Sequence, residues 1–449
     1  MPGTVLLAVP PPGCCNNVKR PDCKDVVAKG LTCFRRTAMI SIGSDNTPPR
    51  PEKSSTALRI KQSYVPSGAQ ELTLDVSDGE SLERLIGKNI MVIKLPTTEW
   101  GKMMRYAPEQ PLPEQCRSRS NPGAWTFTCT SAPPSRQPKG CRQSRWFRRI
   151  TKVDSHGRVV LDAPISDSIN ASLAYGWVTT YRGEFDVQHV GVEGVVGNFM
   201  LARCQQLQSG VSAREHYNAC YSVNAFITTT GNVEHGWVRD VTSIDASSGV
   251  TFGGRFLTAL RAKAVSTADM WDSGAKPGVF GLGNDASQAL FDSFTSDTKR
   301  AFCLSTGSTA GPNVVRNSLA ASPVEPHMRW ATGLLVEGIG GARPQLFNRC
   351  CMGTGHGWTV GYSVVWQGNY SGKCVLAKAP IGTNWVIGTN GEEVISNDSK
   401  KFACVDKGIG EVQAVAPFGS LFDAQLHERL GKRDTVTVLP SHHGLVRPD

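Results

Sequence analysis

The sequence predicts an all-β chain whose larger part winds as a parallel β-helix, and three observations carry that prediction. Short apolar runs recur through the second half, including Leu334-Leu335-Val336, Val364-Val365-Trp366 and Trp385-Val386-Ile387, and they run out into small polar residues or glycine. Such runs suit strands buried in a parallel stack. One apolar anchor from each later segment (Val238, Leu260, Phe291, Val315, Leu335, Val365 and Val386) gives steps of 22, 31, 24, 20, 30 and 21 residues. Most steps lie near the roughly 20–29 residues of one solenoid coil, and the longer ones would hold loops. The intervals are filled with Gly, Ser, Thr, Pro and Asn. Those residues cannot sustain the helices that a flat parallel α/β sheet places between strands.

Along the chain, residues 1–60 are rich in Pro, Cys, Ser and charge and read as an irregular lead-in. A small β-rich domain follows over 61–170. Leu72, Leu74 and Val76 alternate there, NIMVIKLP gives a second strand, and RRITKVDSHGRVVLDAP gives a hairpin with Ser155-His156-Gly157 at its turn. His156 is thus a turn residue, not a ligand. A Cys/Pro/Arg-rich insertion interrupts this domain at 105–145, and the β-helix itself is expected over 171–395. In the tail, 396–449, Leu421, Phe422, Leu426 and Leu430 fall at helical spacing with Gly431 at the stop. A helix over 418–431 is expected to cap the open end of the solenoid, with His427 on its surface.

At 449 residues the chain can bury a large core, and its 46 glycines imply many turns without collagen periodicity. The net charge of +10 is diffuse except in the run from Arg136 to Arg149, which suits a polyanionic partner or a solvated basic loop. That run has no interleaved aromatics beyond Trp146 and Phe147, so nucleic acid is not expected. Fourteen irregularly spaced cysteines lack the paired CxxC of a zinc site, which points to disulfides in an oxidising compartment. The opening MPGTVLLAVPPPGCC is a poor signal peptide, with a short apolar core and prolines directly behind it. The expectation is a secreted or extracellular protein with a weak or truncated leader, and no window is apolar enough for a membrane span.

HGWVRDV (235–241), PHMRWATGLL (326–335), NRCCMGTGHGWTVGYSVVW (348–366), GTNWVIG (382–388) and SLFDAQLHERLG (420–431) resemble the right-handed parallel β-helix proteins of the pectin-lyase-like family. YVPSGAQELTLDV and RRITKVDSHGRVVLDAPI are similar to the β-rich leading domain of that family, so the resemblance covers roughly 60–431. It implies the fold, an extracellular setting, and an acidic polysaccharide or cell-wall glycan as partner. Activity follows less directly, since the wider fold hosts lyases, hydrolases and non-catalytic binders. The chain also departs from the family pattern. In KRAFCLSTG, Arg300 holds the basic position, but Ala301 and Phe302 stand where His and Asp are expected, and Cys350-Cys351 replaces a glycine.

Elimination from an acidic glycan requires a cation on the uronate carboxylate, a base for the adjacent C–H, and help for the departing oxygen. Arginine suits the first task because its planar fork grips a carboxylate bidentately. Arg329 is the candidate clamp, His327 or His356 the base, Trp358 a stacking platform for a sugar ring, and Arg349 and Arg300 secondary clamps. His327 and Arg329 alternate along a strand-like segment and would share one face, with Trp330 opposite. The structural alternatives are a turn cap at His327, an inter-coil salt bridge at Arg329, and a turn plug at Trp358. In HGWVRDV, Trp237 and Val238 read as core, with Arg239 and Asp240 paired across coils. Asp240, Asp292 and Glu337 follow strands in different coils, but no DD or DxD pair marks a hydrolase centre or a calcium site. No GxSxG elbow is present. The function expected is extracellular polysaccharide recognition, extended to lyase-type cleavage if the chain is active. The alternatives are a non-catalytic wall or matrix binder and, behind it, a glycoside hydrolase. No cofactor or metal is expected, and the sequence sets no oligomeric state.

Overall fold

A computed structural model describes residues 4–7, 38–44, 49–52, 56–76, 82–104, 106, 129–138, 140–199, 225–246, 248–266, 279–283, 285–297, 304–341, 343–349, 356–370, 374–389 and 409–431. The chain is all-β, and its larger part is a parallel β-helix. Three parallel sheets of eleven, eight and five strands form its main faces. One coil shows the pattern: Val233–Arg239 lies on the first face, Thr242–Ile244 on the second and Ser248–Phe252 on the third. The next coil repeats it with Arg255–Leu260, Lys263–Val265 and Val279–Leu282, each in parallel register with its predecessor.

On the first face Val192, Val238, Ala259, Phe291, Val315, Val336, Val365, Val386 and Val412 stand in one column, rung upon rung. From Val238 to Val386 the column points inward and is fully buried. Stacked aliphatic and aromatic side chains of this kind supply most of a solenoid's stability, at roughly 25 cal/mol for each Å² removed from water. All seven anchors read from the sequence fall on this face in successive coils. Leu260 and Leu335 sit one residue out of the column. After each strand the chain turns through a left-handed residue, among them Asp240, Arg261, Ser293, Asn317 and Gln367. Each of these donates its N–H to the carbonyl that ends the next coil's strand, so the corner is itself a hydrogen-bonded ladder.

The leading domain is a six-stranded antiparallel sheet in the order Leu58–Arg59, Ala174–Thr179, Asn89–Pro96, Ser144–Val153, Arg158–Leu161 and Glu71–Thr73. Ala174–Thr179, assigned to the solenoid by the sequence, completes this sheet instead. The lead-in also needs correction. Thr4–Leu7 pairs in parallel with Val195–Asn198, and Ala38–Ile42 with Ala225–Thr229, so it supplies strands to two faces of the solenoid. The antiparallel sheet is thereby inserted into the solenoid's sequence. His156 is exposed at the hairpin turn, where its backbone N–H donates to Asp154. Cys129 and Cys141 form a disulfide at the base of the insertion, and Cys374 is a buried free thiol.

The two bodies meet along a polar seam made by three consecutive residues. The Ser166 hydroxyl lies 2.9 Å from that of Thr332, Asp167 accepts from the Trp330 indole at 3.0 Å, and the Ser168 hydroxyl lies 2.6 Å from that of Tyr362. Arg148, with no exposed surface, donates to the Pro164 carbonyl in its own domain and, across the same boundary, to that of Gly311. Burial pushes its guanidinium pKa down to about 10.

Among the described residues, the C-terminal helix lies along the flank of the solenoid and not over its end. Glu411–Gln413 forms the last rung of the first face, and the chain then runs back along the corner ladder. Ala416 meets Gly388, Trp366 donates to the Gly419 carbonyl, Glu337 accepts from Ser420 and from the Phe422 N–H, and Arg316 pairs with Asp423. The helix Leu421–Arg429, capped by Ser420, therefore lies on the flank. Leu421, Phe422 and Leu426 are half-buried and Leu430 is exposed, which is why its apolar spacing made a plausible lid. No helix among the described residues is long and apolar enough to cross a membrane.

Candidate functional site

A groove of about 570 Å³ opens where the leading sheet meets the last coils. Strand phase aims its aromatic residues. Val386 faces the core, so its neighbour Trp385 faces out and is 41 % exposed. On the other wall Val65 is buried beneath the sheet, which leaves Tyr64 outward and 54 % exposed. Ser67, Ser168, Asn170 and Thr383 place hydroxyl and amide groups between these rings. Tyr362 leans in from the solenoid, held by its hydrogen bond to Ser168, and burial pushes its phenol up to about 12. Gly382 is left-handed at φ 77°, and a Cβ there would press on Tyr362 at 2.8 Å and Trp330 at 3.0 Å. Only glycine fits that position without strain.

The floor holds Lys94 and Trp100. Lys94 sits in the centre of the leading sheet with its side chain 2 % exposed, and its ammonium lies 2.8 Å from Asp167. The same ammonium stands 5.4 Å from the centre of the Trp100 ring, a favourable cation–π position. Asp167 also accepts from the Trp330 indole and from the Ser168 N–H at 2.8 Å. The carboxylate of this buried pair is therefore well hydrogen-bonded, which a buried charge requires.

The structure draws most of the residues proposed from sequence around one hairpin-like contact behind that floor. The rings of His327 and His356 meet edge to face at 4.7 Å. Arg329 donates its N–H to the His356 carbonyl at 3.1 Å, and Arg349 donates to Gly357 at 2.9 Å. The strand alternation expected for His327 and Arg329 is absent: Arg329 and Trp330 are both left-handed, at φ 69° and 56°, and bend the chain into Ala331–Glu337. Arg349 is paired with Glu325 in a mostly buried salt bridge, so its charge is committed internally. Trp358 has no exposed surface and cannot stack on a sugar. It packs with Trp100, Tyr106, Trp330 and Phe347, and its carbonyl accepts from the Tyr106 hydroxyl.

Arg329 lines a second cavity of about 30 Å³ together with Arg142, Ser144 and Ser308. Burial first, and then the nearby Arg142 charge, lower its pKa. Trp100 lines this cavity and the groove alike, so an aromatic wall built on its ring divides them. Arg300 and the Cys350-Cys351 pair lie outside the described residues. On the far coils, Arg239 pairs with Glu193 at 2.5 Å and Asp240 with Arg261 at 2.5 Å, both across coils. Trp237, expected in the core, is 39 % exposed. Asp292 is paired with Arg316, and Glu337 is bonded to the C-terminal segment. Among the described residues no three His, Cys, Asp or Glu stand close enough to hold a metal ion.

Sequence reasoning missed Tyr64, Lys94, Asp167, Tyr362 and Trp385. Trp385 alone carried a usable signal, since an aromatic residue next to an inward anchor must face outward.

No protein-family model matches the chain, and no curated protein matches it. Among solved structures it is similar to the tailspike protein gp49 from Pseudomonas phage LKA1, at 10 % identity over 85 % of this chain and 67 % of that one, with a TM-score of 0.25. The tailspike gp61 of Pseudomonas phage phi297 aligns at 10 % identity over 80 % of this chain and 68 % of its own, also at 0.25. The Gp54 tailspike of Acinetobacter baumannii bacteriophage AP22, solved with A. baumannii capsular saccharide, aligns at 8 % identity over 84 % and 73 %, at 0.24.

Proposed function

We propose that this chain recognises an extracellular polysaccharide in the groove between its leading sheet and its last coils. One observation carries the reading: Trp385 and Tyr64 present exposed rings on opposite walls, with hydroxyl and amide groups between them. An aromatic face offers apolar area to the C–H side of a pyranose, and flanking polar groups set its orientation. The extracellular setting agrees with the Cys129–Cys141 disulfide. Recognition is the activity the described lining residues support best, since they supply rings, hydroxyls and amides on both walls. The test is binding of the full chain to an immobilised glycan panel. Trp385→Ala should weaken every positive by about tenfold, the worth of one well-placed ring. Binding that survives both Trp385→Ala and Tyr64→Ala would place recognition elsewhere.

A second reading, elimination from an acidic glycan, is favoured by the contact of His327 with His356 and by the two arginines around the smaller cavity. There Arg329 and Arg142 would neutralise a uronate carboxylate, and one histidine would take the proton from the carbon beside it. The next carbon's bond to the glycosidic oxygen would break, that oxygen leaving with a proton from the second histidine or water. Incubation with uronate polymers would then generate the ultraviolet absorbance of new double bonds, and Arg329→Ala would remove it.

A further inference from the structure

The floor of the groove has a chemistry of its own. The Lys94 ammonium has three protons to donate. Asp167 takes one, and among the described residues no other side chain or carbonyl accepts from it. A buried ammonium with unused donors stands at a cost that an acceptor entering the cavity would relieve. The acceptor's charge matters too. Lys94 and Asp167 together are neutral, so an incoming carboxylate would lose its hydration without meeting a net positive charge. A neutral oxygen is the better match. Leu173, Ala174 and Ile381 line the groove with apolar surface beside these polar groups. A bare sugar hydroxyl would leave that surface unfilled.

We infer that the floor binds the acetamido group of an N-acetylated amino sugar, an inference that rests on the groove being the glycan site. The carbonyl oxygen accepts from Lys94, and the methyl packs against Leu173, Ala174 and Ile381. Among the described lining residues, the Thr383 and Ser67 hydroxyls can accept from the amide N–H. An acetamido group is neutral, has its acceptor at one end and a methyl at the other, and so matches a site with donor and apolar lining side by side.

The experiment is saturation-transfer NMR on the full chain, with N-acetylglucosamine, N-acetylgalactosamine and N-acetylmannosamine against glucose, galactose, mannose and glucuronate. The N-acetylated sugars should bind at least about tenfold more tightly than their parent hexoses, since one hydrogen bond to a charged donor and one buried methyl together account for that ratio. Their acetyl methyl protons should receive the strongest saturation. Ile381→Ser, on the half-exposed rim, should cut the preference for N-acetylated sugars toward unity. Equal binding of hexoses and N-acetylhexosamines, or a preference for glucuronate, overturns the inference. If Trp385→Ala still weakens every sugar in that case, the groove remains the glycan site and only the acetamido assignment fails. A panel in which nothing binds removes both.

Discussion

Trp358 and Trp385 lie 27 residues apart in similar glycine-containing stretches, GTGHGWTV and GTNWVIG, yet one is sealed in the protein and the other opens onto a groove. The same contrast holds for the two cavities beside them. Behind the aromatic wall, the histidines touch one another and Arg349 is tied to Glu325. In front of it, Tyr64 and Trp385 keep their ring faces toward solvent. A residue type that suits carbohydrate is therefore a poor guide until its phase against the core is known.

Two substitutions at buried positions, one behind the wall and one in the groove floor, should produce the largest effects, and those effects should be on stability. Trp358→Ala should cost about 3–5 kcal/mol in urea unfolding, the usual loss for a large buried aromatic. Sugar affinity of the remaining folded protein should be unchanged, whereas a Trp358 platform would show the opposite pattern. Asp167→Ala should cost a similar amount, about 3–5 kcal/mol, by leaving the buried Lys94 ammonium without its partner. Trp385→Ala inverts the result, with about tenfold weaker binding and an unfolding midpoint close to that of the parent.

Smaller effects sharpen the picture at the seam. Tyr362→Phe should remove one hydrogen bond, worth about 1 kcal/mol. Its phenol titrates near 12 in the folded chain and near 10 when unfolded. The folded state thus holds a proton that the unfolded state has lost, so stability falls as pH rises through that window. In Tyr362→Phe this part of the alkaline slope should vanish. Asp423→Asn should have the least effect, within about 1 kcal/mol, because its ion pair with Arg316 is partly exposed. Hydrogen bonding to the Arg316 guanidinium holds the Asp423 carboxyl below its ordinary range. Its contribution is present above the unfolded pKa and is lost as pH falls through the folded one. Protection of Leu421–Arg429 against hydrogen exchange, taken relative to the intrinsic rate at each pH, should accordingly fall at acid pH, and should lose that pH dependence in Asp423→Asn.

What was legible in the sequence was the stack. The anchors from Val238 to Val386 repeat because each must fill the same inward column, and that local requirement leaves a period. Trp358 misled because it follows a glycine-rich loop, where no neighbouring strand fixes the phase. Trp385 adjoins Val386, whose column does fix it. The Ser166-Asp167-Ser168 seam left no trace, since its partners Thr332, Trp330 and Tyr362 lie 166, 163 and 194 residues away. Lys94 was equally hidden: a lysine in NIMVIKLP reads as a strand-edge charge until the acid that buries it is found. The helix at the C-terminus was readable from its spacing, but its docking surface was not.

That docking has a mechanical consequence. In a simple stack, a pull on the last coil would peel rungs away one at a time, each resisting with its own strand pairing. Here the segment that leaves the final rung doubles back and fastens to Gly388, Trp366, Glu337 and Arg316 in turn. A force applied at Arg429 would first load that seam from Arg316 outward and only afterwards reach Gln413. The segment from Gln413 to Arg429 thus behaves as a stitched hem, shielding from fraying the coils that form the solenoid's wall of the groove.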